Sequence, residues 1–149
     1  MTEALDPNSP LRFVAGFLCV WIAACSAISL LGGWWALARR YASRPGELRK
    51  RWRFQSAMMR WMTGYGGCLH VGVTDRGLAL SVLALFRPGH PPLSIPWEDI
   101  RVERHETRLS GKRVRLRFAK VPDVPLIIRE ALAREINAHS AAGWEAALR

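Results

Sequence analysis

The chain has 149 residues, half of them hydrophobic, and carries 22 Lys and Arg against 12 Asp and Glu for a formal charge of +10. That length admits one ordinary domain with an appendage, and so apolar a composition excludes disordered and collagen-like classes. A mean hydropathy of 0.00 beside a pI near 10.9 requires charged and apolar residues to be segregated along the chain. Three cysteines are too few for a disulfide scaffold, and two of them, Cys19 and Cys25, lie within an uncharged apolar run.

After an N-terminal tail of residues 1–12, that run extends from Phe13 to Ala38, 26 residues without a charge. At about 1.5 Å per residue it makes roughly 39 Å of helix, more than the ~30 Å of hydrocarbon to be crossed. A single transmembrane helix over 13–38 is therefore predicted. A cleavable signal peptide fits badly, because Glu3 and Asp6 oppose Arg12 in the tail and the run is about twice as long as a signal-peptide apolar region. Ile22-Ala23-Ala24-Cys25 matches a loose lipobox, yet cleavage there would leave thirteen apolar residues attached. Ala15, Cys19, Ala23 and Ala27 recur four apart, a small-residue stripe on which a second helix, from a partner or another copy, could pack. Trp34 and Trp35 fall where an interfacial aromatic belt would lie.

Residues 39–62 form a basic juxtamembrane segment. Arg39, Arg40, Arg44, Arg49, Lys50, Arg51, Arg53 and Arg60 face Glu47 alone, a net +7. Cations beside a span are retained in the cytoplasm, so the expected topology is N-terminus outside and C-terminal domain inside, at a bacterial inner membrane. Pro45-Gly46 interrupts the helix. Glu47 to Met62 then reads in preference as an interfacial helix, with Leu48, Trp52, Met59 and Met62 on one face, Met58, Trp61 and Phe54 beside it, and Arg49, Arg53 and Arg60 opposite. The alternation Arg51-Trp52-Arg53-Phe54 also suits the first strand of a domain. As a helix, Trp52 joins the aromatic belt, and Arg39, Arg40, Arg44, Arg49, Lys50, Arg51 and Arg53 contact anionic headgroups at about 1 kcal/mol each.

Residues 63–149 read as one mainly-β domain. Tyr65, Gly67, Leu69, Val71 and Val73 alternate with smaller or polar residues, the period of a half-buried strand. Thr74-Asp75-Arg76-Gly77 supplies a turn, with Gly77 suited to positive φ, and Leu78 to Phe86 returns. Pro88 to Pro92 punctuates before Leu93, Ile95 and Trp97 alternate inward. Ile100–Leu109, a turn at Ser110-Gly111 and Arg113–Phe118 make a second hairpin, and Val124–Ile128 a last strand. Arg129 to about Ala142 is amphipathic, with Leu132, Ala133, Ile136 and His139 on one stripe and Gly143 as its stop. The expected fold is a small barrel or bent sandwich whose mouth the C-terminal helix caps.

Leu93-Ser94-Ile95-Pro96-Trp97-Glu98-Asp99-Ile100, preceded by the hairpin carrying Gly77-Leu78-Ala79-Leu80 and followed by meandering strands and a closing helix, resembles the bacterial pleckstrin-homology-like (GRAM-type) domains over about residues 55–142. The resemblance implies a module that binds lipid headgroups or protein segments, without catalytic residues.

Chemistry is sparse. Cys68 and His70 share a strand face and are half of a metal site or a nucleophile pair, but completing either needs His90 or His105 brought close by the fold. Glu98 and Asp99, adjacent on a strand, point apart. Arg113, Arg115 and Arg117 line one face of a strand opposite Val114, Leu116 and Phe118, a solvated face partly neutralised by Glu103 and Glu106, or an anion-binding groove. Gly32-Gly33 and Gly66-Gly67 lack the Lys-Ser/Thr of a phosphate loop. Nucleic acid is disfavoured, because the cations concentrate where headgroups must already be. The expected function is a non-enzymatic, membrane-anchored binding module without cofactor or metal; the alternative is an accessory or assembly subunit of a larger membrane complex.

Overall fold

The computed structural model describes residues 9–60, 63–109 and 111–149, and the backbone alone at Glu106 and Thr107. Glu3 and Asp6 of the tail, Trp61 and Met62 of the juxtamembrane segment, Ser110 of the predicted turn and the Glu106 side chain lie outside that description.

The apolar run is two helices, not one. Helix α1 spans Pro10–Gly32, with Ser9 as N-cap accepting from the Arg12 amide and proline in its first turn. It is long and apolar enough to cross a membrane. Gly33 then takes a left-handed φ of 93°, which ends α1, and helix α2, Trp34–Tyr41, follows. A Cβ at Gly33 would come within 2.6 Å of a Val124 methyl, so the break lies hard against the β domain. The helix available for the predicted span of 13–38 therefore ends at Gly32, and residues 34–41 pack with the β domain.

Seven antiparallel strands follow: β1 Lys50–Met59, β2 Thr63–Val73, β3 Gly77–Val82, β4 Leu93–Pro96, β5 Ile100–Thr107, β6 Gly111–Phe118 and β7 Val121–Arg129, then helix α3, Glu130–Ala138. They form one curled sheet in the order β4-β3-β2-β1-β7-β6-β5. The interfacial helix predicted over 47–62 is thus replaced by β1. Its Arg-Trp-Arg-Phe alternation, the weaker signal on paper, is stabilised by a long antiparallel ladder with β2 and a short one with β7. Phe54, at φ 55°, bulges out of the ladder with β2, and Gly67 at φ 66° accommodates a second irregularity. The β2–β3 turn forms as expected, with Thr74 Oγ1 accepting from the Gly77 amide at 3.0 Å. Gly77 is not at positive φ; the position needs glycine because a Cβ would run into the Ile95 carbonyl of β4. The return strand stops at Val82 rather than Phe86, and Ala84–Phe86 turns as a short 3-10 helix.

The core collects the inward face of every strand, including Leu69, Val71, Leu80, Ile95, Leu116, Phe118 and Ile128. Two helices cover it. Helix α2 touches both β4 and β7, which only a strongly curled sheet brings together, while α3 lies on β6 and β7. Leu132, Ala133 and Ile136 of α3 are buried as predicted, but His139 is exposed and the helix ends at Ala138. Gly143, at φ 69°, instead turns the chain so that Trp144 and Leu148 reach the core. The mouth predicted for the C-terminal helix alone is shared with α2, whose Trp34, Leu37 and Tyr41 are all buried. Tyr41 Oη receives the Lys120 amide and donates to Asp99, both at 3.0 Å, tying α2 to two inter-strand turns.

Candidate functional site

Folding 50–59 as a strand disperses the basic collar. Arg39 and Arg40 stay exposed in the last turn of α2, where the helix dipole favours cations. Arg49 is taken by Asp75 in an ion pair, and Lys50 and Arg53 project from β1 into solvent. Arg44, from the α2–β1 connection, and Arg51 of β1 converge with Arg87 around an open cavity of about 1050 Å³, also lined by Trp35, Ser81 and His90. Among the described residues none of these three arginines is ion-paired. Their field is felt nearby: burial first, then Arg51, Arg53 and Arg87, hold His70 below the usual imidazole range. Arg87 is the residue that sequence reading missed. Its only signal was a lone cation between Leu85-Phe86 and Pro88-Gly89, in a connection too short to show a period.

The cavity has a rigid floor. His90 is 2% exposed; its Nδ1 donates to the Pro88 carbonyl, which can only accept, so Nε2 accepts from the Tyr65 hydroxyl, both at 3.1 Å. The Trp34 indole N–H donates to the Pro91 carbonyl at 3.0 Å, and its ring lies 5.3 Å from His90 and 5.6 Å from Tyr65. Burial keeps His90 neutral by lowering its pKa and raises that of Tyr65. The unfolded chain therefore binds this proton more readily. His90 should cost no stability at pH 8, and stability should fall as pH drops below its unfolded value of about 6.5. Denaturant titrations at pH 8 and pH 5.5 check this: His90→Gln should flatten the pH dependence, leaving the part due to His70, and an unchanged slope would contradict it.

The aromatic belt needs correcting. Trp34 is fully buried in the domain. Trp35 is 46% exposed, on the rim of the three-arginine cavity. Trp52 is half-buried and fastens α3 to β1, its indole N–H donating to Glu135 and its ring meeting His139 edge-on at 5.7 Å. Ala15, Cys19, Ala23 and Ala27 are all exposed. The face of α1 that meets the domain is a different one, Trp21, Cys25, Ser29 and Gly32, so the small-residue stripe points away from it.

Arg113, Arg115 and Arg117 do alternate with buried Val114, Leu116 and Phe118. Arg117 pairs with Glu103 and Arg115 bonds His105, each at 3.0 Å, while Arg113 donates to the Met58 sulfur. Arg115 and Arg117 line a smaller cavity of about 450 Å³ with Arg60, His105 and Asp123. Glu103 already pairs with Arg117 and a second carboxylate, Asp123, lines the cavity, which makes it a weaker anion site than the Arg44–Arg51–Arg87 cavity.

The four histidines go to four separate places: His70 to the Phe54 amide, His90 to Tyr65, His105 to Arg115 and His139 to Trp52. Cys68 and His70 share β2 without a third ligand; among the described residues no three Cys, His, Asp or Glu side chains are grouped for a metal. Burial pushes the Cys68 thiol up, away from the reactive thiolate. No protein-family model, no curated protein and no solved structure matches this chain.

Proposed function

We propose that this chain is a single-pass inner-membrane protein, N-terminus outside, whose pleckstrin-homology-like cytoplasmic domain is a non-enzymatic module binding anionic lipid headgroups. The observation that carries the reading is the cavity of Arg44, Arg51 and Arg87. Three cations without a carboxylate line one open cavity at the foot of the apolar helix, with half-exposed Trp35 at its rim. Arginine suits this use because its planar fork meets phosphate oxygens in pairs. The seven-stranded sheet supplies a rigid wall, and the positive charge outside it adds long-range attraction that salt weakens.

The test uses the full chain in detergent micelles with short-chain phosphatidylglycerol and its phosphatidylcholine counterpart as probes. Phosphatidylglycerol should bind more tightly, and Arg44→Ala, Arg51→Ala and Arg87→Ala should each weaken it about fivefold, the equivalent of ~1 kcal/mol per cation. Arg49→Ala, whose charge is engaged by Asp75, should change binding little. Equal affinity for the two lipids would remove the proposal. A second reading, an accessory subunit of a larger membrane complex, is favoured by the small-residue stripe of α1, which the domain leaves uncovered. A stoichiometric membrane protein that copurifies with the native chain and is lost on Ala23→Leu would support it.

A further inference from the structure

We infer that the connection from Leu83 to His90 is a membrane-inserting loop, which enters the leaflet on the domain side alongside α1 and carries Leu85 and Phe86 into the acyl boundary. The inference rests on reading α1 as a span and goes beyond it, because a tethered domain need not enter lipid at all.

The first argument is length. Arg12 sits in the first turn of α1 and the helix breaks at Gly33, which leaves residues 13–32 as its uncharged helical part. Twenty residues make about 30 Å, one hydrocarbon thickness with nothing to spare. The unbroken exposed stretch is residues 10–20, and eleven residues reach about 16 Å. The remaining half must enter lipid too, and its Trp21–Ser29 face is where the loop lies. The Trp21 indole N–H donates to the Leu85 carbonyl at 2.9 Å, its ring stands 5.5 Å from Phe86, and Ser29 donates to the Gly89 carbonyl. Trp21 is eleven residues before Gly32, so the loop tip sits roughly 16 Å along the helix from the domain end.

The second argument is polar satisfaction. Irregular backbone survives at membrane depth only where its polar groups have partners inside the protein. Here the Phe86, Arg87 and His90 amides donate to the carbonyls of Leu83, Ala84 and Arg87. The carbonyls of Leu85, Gly89 and Pro91 are taken by Trp21, Ser29 and Trp34, side chains of the two N-terminal helices.

The third is the surface presented. Leu85 is 60% exposed and continues the apolar surface of α1 through Phe86, Trp21 and Phe17, whose rings lie in series. Arg87, two residues on, is exposed and turns back to the three-arginine cavity. An apolar tip beside a cation that returns to headgroup level is the pattern of an interfacial anchor.

The test leaves the chain unmodified. The native protein is reconstituted into vesicles of phosphatidylcholine and phosphatidylglycerol in which a fraction of the lipid carries a diazirine on the acyl chain. After irradiation, adducts are mapped by mass spectrometry. Adducts are expected on α1 and on Leu85 or Phe86. Adducts on α1 with none in residues 83–90 would overturn the insertion and leave the span intact, while no adducts on α1 would overturn the span itself and the insertion with it.

Discussion

Trp34→Ala is expected to destabilise the β domain by about 3–5 kcal/mol, the range for deleting a buried large aromatic. The side chain, at the start of α2, is fully buried against Tyr65 and His90. Its removal opens a cavity between Tyr65 and His90 and leaves the Pro91 carbonyl without the indole N–H that satisfies it. Trp35→Ala, one residue on and 46% exposed, should stay within about 0.5 kcal/mol. Denaturant unfolding of the full chain in a constant detergent, followed by far-ultraviolet circular dichroism, measures both. The contrast is the informative part. If the two tryptophans formed one interfacial belt, the variants would behave alike, and a Trp34→Ala loss below about 1 kcal/mol would remove α2 from the core.

Gly33→Ala should cost about 2–5 kcal/mol by the same measurement. A left-handed φ of 93° costs an L-residue about 1–2 kcal/mol, and a Cβ at 2.6 and 2.9 Å from the two Val124 methyls adds the penalty of overpacking, about 1–3 kcal/mol. Val124→Ala removes the second cost and not the first, so the double variant should be less destabilised than the sum of the single ones. Additive effects would contradict the contact between Gly33 and β7. A neutral Gly33→Ala would mean that the helix runs on past residue 33, as its apolar sequence alone suggests. Trp34 would then leave the domain, and the slack in the span would return.

Much of the sheet was legible because each strand has one face on the core, so burial prints a period of two on Tyr65–Val73 and Arg113–Phe118. The hairpin turn at Thr74–Gly77 was legible for its local chemistry, although glycine is required there by the approach of β4 and not by φ. The strand β1 was harder. Its pattern of apolar and basic residues satisfies a helical face as well as an alternating one, and what selects the strand is pairing with β2, up to 23 residues away at Lys50 and Val73. The candidate site was half visible. Arg44 and Arg51 stood out within a run of cations, whereas Arg87 is isolated in sequence and joins them only because β3 returns beside β2, the neighbour of β1.

The sequence by itself determined the segregation of this chain into an uncharged apolar run, a cluster of cations and an alternating β region, since each is a property of consecutive residues. Only the tertiary structure decided where the run stops being a helix that could span and becomes part of the domain. Trp34, Leu37 and Tyr41 are apolar whether lipid or protein covers them, and composition cannot tell the two apart. The difference lies in partners 57 to 79 residues away, the Pro91 carbonyl, Asp99 and the Lys120 amide, which offer hydrogen bonds that hydrocarbon cannot. The same long-range contacts leave three arginines without carboxylates around one cavity and lay the Leu83–His90 connection along the one helix long and apolar enough to cross a membrane.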